Sequence, residues 1–229
     1  MAELRSTAGY GAKRLNDWAL ESPPWHPISD VPILQRTAMA TPLKIDFVSD
    51  VSCPWCVIGL GGLEQALARV GDLVSADIRF QPFELNPDMG PDGQNIVEHI
   101  GQKYGSTPAQ SAASRAAIRE RAASVGFEMK TDENSRIYNT FDAHRLLHWA
   151  GLNGGQAALK HALFKANFTD GQAMSDADVL VAAAKSAGLD EADAHRVLET
   201  GQYAQAVSRP TISSRRCAKS PPRRRPAPS

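Results

Sequence analysis

No stretch of the 229-residue chain approaches the roughly 18–20 apolar residues of a membrane-spanning helix. The N-terminus also lacks the apolar core of a secretory signal, because Pro23, Pro24, Pro27 and Pro32 interrupt it. Both absences predict a cytoplasmic protein with no membrane partner. Cysteine is scarce: Cys53, Cys56 and Cys217 are too few for a structural disulfide framework, and cytoplasmic thiols are mostly kept reduced. A second pair of metal ligands is missing as well. The six histidines are scattered, and only His144 and His148 share i, i+4 spacing, so a four-ligand zinc site has no support and no metal is expected. An excess of charge is lacking too, with 25 basic and 25 acidic residues. That balance hides a division. Seven basic and no acidic residues lie from Ser208 onward, which leaves 18 basic and 25 acidic in the first 207, a net of −7. A mildly acidic body gives no reason to expect a nucleic-acid partner.

Three unequal regions follow. Residues 1–41 are rich in Pro, Ser and Trp without sustained periodicity and read as an unstructured extension; Met39, just before the first apolar run, reads as an alternative translation start. Residues 42–91 read as a βαβ unit, with strand Leu43–Val51, helix Pro54–Val70 and strand Val74–Pro82, so a parallel pair is expected. Residues 92–207 read as helical: Ile96–Tyr104, Pro108–Val125 capped by Thr107, Ser135–Ala150, Gln156–Phe168, Asp176–Ala187 with a Ser175/Asp178 capping box, and Asp190 to about Val207. Residues 208–229 are basic, Pro-rich and almost free of apolar side chains, a composition that predicts disorder. The tail has no interleaved aromatics for stacking on single strands, and Cys217 within it reads as an incidental exposed thiol.

The chemistry concentrates in Cys53-Pro54-Trp55-Cys56, placed where an apolar strand gives way to a helix. A C-x-x-C pair in that context is the sequence form of a thioredoxin-like redox site. The unpaired N–H groups and dipole of the helix start favour an anion, and the thiolate is the reactive species. Cys53 is expected to attack and Cys56, one turn in, to resolve. Pro54 fits the first turn, where its missing N–H costs nothing. Trp55 carries no charge and reads as surface around the site. Asp46 and Asp50 flank the strand; each reads as a solvated strand end or a cap, with a proton acceptor for Cys56 as the alternative.

The body resembles the DsbA-like thiol:disulfide oxidoreductases, and within them the FrnE-like branch related to 2-hydroxychromene-2-carboxylate isomerase. The residues that carry this are Asp46 to Gly59 around the motif, Phe80-Gln81-Pro82-Phe83-Glu84-Leu85-Asn86-Pro87, Tyr104-Gly105, Asn139 to Leu146 and Phe168-Thr169-Asp170-Gly171. The resemblance implies an α/β thioredoxin-like fold with a large helical insertion. It implies Cys53 as nucleophile and Cys56 as resolving thiol, with Pro54 and Trp55 tuning the potential. Protein or small-molecule thiols and disulfides would be the partners, and glutathione is a candidate co-substrate, with no bound cofactor. Glu84 is expected in a substrate groove or exposed to solvent. Asn139 and His144 are candidate substrate contacts on the insertion, and helix-surface packing is expected for at least one of His144 and Arg145. The related isomerases carry Ser at the first cysteine; this chain keeps both thiols, which favours redox chemistry over isomerisation. After the insertion the family continues with a Pro-preceded strand, a hairpin and a helix. Nothing after Ser208 matches them, so the C-terminal strands and helix are expected to be missing, as from a shifted reading frame, with an inactive remnant as the consequence to test.

Overall fold

The computed structural model describes residues 40–208; residues 1–39 of the N-terminal extension and 209–229 of the basic tail, with Cys217 and the expected disorder, lie outside the described residues, while Thr41, expected in the extension, opens the first strand. Strand β1 (Thr41–Ser49) pairs in parallel with β2 (Val74–Pro82), in register from Thr41 opposite Val74 to Ser49 opposite Pro82. Between them runs helix α1 (Pro54–Val70), closed by a short 3-10 turn at Gly71–Leu73. This is the expected βαβ unit. Phe47 and Phe80 face each other across the pair, with ring centroids 5.7 Å apart and edge-on, a favoured aromatic arrangement. Among the described residues the sheet has these two strands. The side chain of Gln156 covers the outer edge of β2: its Oε1 accepts from Phe80 N at 2.9 Å, and its Nε2 donates to Phe80 O at 3.1 Å.

The rest is helical: α2 (Ile96–Tyr104), α3 (Pro108–Ser124), α4 (Phe141–Leu152), α5 (Gln156–Phe168), α6 (Ala177–Ser186), α7 (Glu191–Glu199) and α8 (Ala204–Ser208). Thr107 caps α3 as expected, in a reciprocal box with Gln110. The expected box at Ser175 is replaced by Asp176, whose carboxylate accepts from the N–H groups of Asp178 and Val179, while Ser175 Oγ donates to Pro91 O.

Two helices differ from their sequence reading. The helix expected from Ser135 begins only at Phe141. Asp132 Oδ1 accepts from the N–H groups of Asn134 and Ser135 and turns the chain. Arg136–Ile137 (β4) then pairs antiparallel with Gln94–Asn95 (β3). Gly93, in the left-handed region at φ 64°, permits this approach, since a Cβ there would collide with Ile137 O. The helix expected from Asp190 to Val207 breaks after Glu199. Gly201 and Tyr203 both take positive φ, a common way to end a helix, and Tyr203 stacks against His148 at 5.1 Å.

Two apolar clusters hold the molecule. One lies among α4, α5, α6 and α7 and takes in Val51 of the motif loop. The other joins Val57, Leu60 and Phe80 of the βαβ unit to Ala122 of α3, Met129, and Phe164 and Phe168 of α5. The redox motif is therefore clamped between both. No helix among the described residues is long and apolar enough to cross a membrane.

Candidate active site

Cys53 is the N-cap of α1, with φ −94° and ψ 110°, and Pro54 opens the helix. The first turn carries no acidic side chain to satisfy the free N–H groups. Both thiols are half-buried and free, with no disulfide between them. A hydrogen bond from Cys56 is the main influence that brings the Cys53 thiol down to about 7; the N–H groups of Cys56 and Trp55 assist, against burial and the charge of Asp50. The same bond, with burial and the Cys53 charge, pushes Cys56 far up. The two thiols are thus unequal, Cys53 the more readily ionised and Cys56 the one that keeps its proton. Trp55 is 57% exposed beside it.

Beneath the pair lies a buried group of ionisable side chains. Asp50 is 1% exposed rather than a solvated strand end. Burial would raise its carboxyl, but His144 at 3.4 Å and the N–H groups of Leu85 (2.6 Å) and Ser52 (3.1 Å) hold it near about 2. The His144 contact is long for a hydrogen bond, and hydrogen bonding and charge from His144 both lower the Asp50 carboxyl. Lys160 of α5 is fully buried, its Nζ without a hydrogen-bond partner among the described residues, over the rings of Phe164 at 4.7 Å and Phe80 at 5.9 Å. Burial pushes it down to about 8, against the pull of Asp50, Cys56 and Cys53.

On its outer side Cys53 opens, with Ser52, Pro54 and Trp55, onto a cavity of about 650 Å³. Leu85 and Asn86, helices α2 and α3, residues 129–132 and 134–138, and residues 167–172 complete its wall. Asn167 Nδ2 donates to Val51 O at 3.1 Å and ties α5 to the motif loop. No group of three or more His, Cys, Asp or Glu among the described residues is arranged to hold a metal.

The expected substrate contacts fall elsewhere. His144 is 2% exposed against Asp50 and lines a separate cavity of about 30 Å³ with Phe80 and Lys160. Asn139 is spent on structure: its Oδ1 accepts from Phe141 N at 2.9 Å and starts α4, while Nδ2 donates to Pro87 O and Met89 O. Glu84 is half-buried, with Oε1 unpartnered among the described residues. Burial raises its carboxyl, with His144 opposing and Asp50 adding, so it belongs to the buried group. None of the three lines the large cavity. Nor is either His144 or Arg145 on the surface. Arg145 is 4% exposed and donates to Gln202 O at 2.7 Å, and to Val197 O and Leu198 O, the unpaired carbonyls where α7 ends. Asp46 bonds Gln81 across the strands at 2.8 Å.

Sequence reading missed Lys160 and, on α3, Arg115. The available signal was a charged residue on a buried stripe: Lys160 lies one turn before Phe164, and Arg115 one turn after buried Ser111.

A parallel βαβ unit with a C-x-x-C at the helix start, carrying a helical insertion, defines a thioredoxin-fold dithiol protein. Residues 44–216 match the sequence model of the DSBA-like thioredoxin domain, and the chain belongs to that family. Its structure is similar to that of a probable DsbA oxidoreductase from Streptomyces coelicolor, with 33% identity, a TM-score of 0.68 and coverage of 72% of this chain and 71% of that one. The chain is also 26% identical over 170 residues to the uncharacterized protein YwbO of Bacillus subtilis, covering 74% of this chain and 78% of that protein.

Proposed function

We propose that the chain is a thiol:disulfide oxidoreductase working through Cys53 and Cys56. The observation that carries this reading is the inequality of the two thiols: Cys53 near 7 and facing a cavity, Cys56 held protonated behind it. The Cys53 thiolate attacks one sulfur of a substrate disulfide, forming a mixed disulfide and releasing the other half as a thiolate. Cys56 then loses its proton, attacks the Cys53 sulfur and displaces the second half. The substrate gains the two electrons that the dithiol loses, and an external thiol reductant returns the enzyme to its starting state. Burial brings Lys160 down to about 8, so its neutral amine form, within electrostatic reach of Cys56, is available to take the resolving proton and become the ammonium.

Substrates would be protein or small-molecule disulfides, with glutathione as candidate co-substrate and no metal, nucleotide or flavin. Retention of both thiols favours this over glutathione-dependent isomerisation, which has no use for a second thiol. Insulin reduction driven by dithiothreitol tests the reading. Wild type should accelerate it and Cys53→Ser should not; equal activity of the two would refute it.

A further inference from the structure

The buried face of α3 runs Ser111, Arg115, Ile118 and Ala122, an i, i+4, i+7, i+11 stripe. Its later half is apolar and joins the cluster beneath α1. Its earlier half sets a hydroxyl and a guanidinium against the cavity that opens on Cys53. Arg115 is only 8% exposed, and a buried cation without a counter-ion is costly. Its hydrogen bond among the described residues runs from Nη1 to Ser111 Oγ at 2.6 Å. Among the described residues no acidic partner faces it, and Nε and Nη2 have no acceptor.

The other charges on the wall are already engaged. Asp170 pairs with Lys165 at 2.6 Å, and Asp132 accepts from Asn134 and Ser135. Lys103 is held by Leu85 O and Asn86 Oδ1, Lys130 by Glu128, and Arg136 by Asp92 O and Gly93 O. The free donors of Arg115 form a planar fork, the geometry that matches a carboxylate. A volume of about 650 Å³ is that of a small-molecule site, and Ile118, Met129 and Tyr138 supply apolar wall for a short organic scaffold.

Building on the oxidoreductase reading above, we propose that this cavity binds a low-molecular-weight disulfide bearing a carboxylate, which Arg115 holds through Nε and Nη2 while a substrate sulfur meets Cys53. The chemistry stays as written: one S–S bond of the substrate is cleaved, a Cys53 mixed disulfide forms, and one thiolate leaves.

The test compares two disulfides by stopped flow with reduced protein in which Cys217→Ser removes the third thiol, this form serving as wild type: 5,5′-dithiobis(2-nitrobenzoate), with a carboxylate on each ring, and 4,4′-dithiodipyridine, with none. Arg115→Gln should lower the ratio of the first rate to the second by about tenfold, as expected for loss of a charge-assisted pair, and Arg115→Lys should recover part of it. S-methylglutathione, a carboxylate-bearing thioether that cannot exchange, should slow the dithiodipyridine reaction of wild type saturably; this arm decides the matter if the variants do not fold. An unchanged ratio in folded Arg115→Gln, or no protection by S-methylglutathione, overturns the pocket while leaving the redox reading intact. Failure of wild type to react with either disulfide would defeat the redox reading and the pocket together.

Discussion

At the scale of single residues, the dithiol is set by what each sulfur does to the other. The hydrogen bond from Cys56 is the main reason the Cys53 thiol lies near 7 instead of 9. Cys56→Ala should therefore move the midpoint of iodoacetamide alkylation at Cys53 upward from about 7; an unmoved midpoint would assign the effect to the helix start alone. Lys160 carries the opposite bargain, a fully buried cation over two aromatic rings. Burial disfavours that charge, so the folded chain bears a cost wherever Lys160 is protonated, and an apolar side chain of similar shape removes it. Lys160→Met should thus raise the melting temperature while slowing closure of the Cys53–Cys56 disulfide from a mixed disulfide, a rate readable by quench and mass spectrometry. A faster or unchanged closure would remove Lys160 from the proton path.

At the scale of elements, the strands and most helices of the βαβ unit and insertion were legible because their ends are written locally. Pro54 marks the start of α1, Thr107-Pro108 that of α3, and the alternation around Ile45 and Phe47 marks β1. The motif was legible for the same reason: its chemistry depends on four consecutive residues and a helix start. What failed depended on partners distant in sequence. Residues 135–140 have an acceptable helical pattern, yet Gln94 and Asn95 take two of them into a ladder. Asn139 looked like a ligand contact, and its side chain instead starts α4 and ties down Pro87 and Met89. Asn139→Ala should cost about 0.5–2 kcal/mol of stability, as for loss of a side-chain acceptor at a helix start, and leave the Cys53 alkylation midpoint in place; a shifted midpoint would restore Asn139 to the site. Arg115 and Lys160 escaped notice because burial of a long charged side chain is decided by packing between helices that lie apart in the chain.

At the scale of the whole molecule, the buried ionisable group makes stability depend on pH. Asp50 has its folded value depressed from 3.8 to about 2, so its contribution is complete above 3.8 and disappears as pH falls through about 2. Lys160 is depressed from 10.5 to about 8. Between those values the unfolded chain binds the extra proton, so stability from this group rises with pH, by about 3 kcal/mol across the window. The difference in unfolding free energy between wild type and Lys160→Met should therefore shrink from pH 8 to pH 10.5 in urea titrations. A constant difference would mean that Lys160 reaches solvent. The second apolar cluster joins β2 and α1 to α3 and α5, so the melt should report the motif and the insertion in one transition.

The central claim is that Cys53 attacks and Cys56 resolves, and intact-mass trapping with glutathione disulfide tests it most directly. In a Cys217→Ser background, the reduced protein should close to an internal disulfide without retaining glutathione, Cys56→Ser should hold one glutathione on Cys53, and Cys53→Ser should stay unmodified at Cys56. Glutathione retained on Cys56 of Cys53→Ser, with Cys53 of Cys56→Ser left free, would contradict the account.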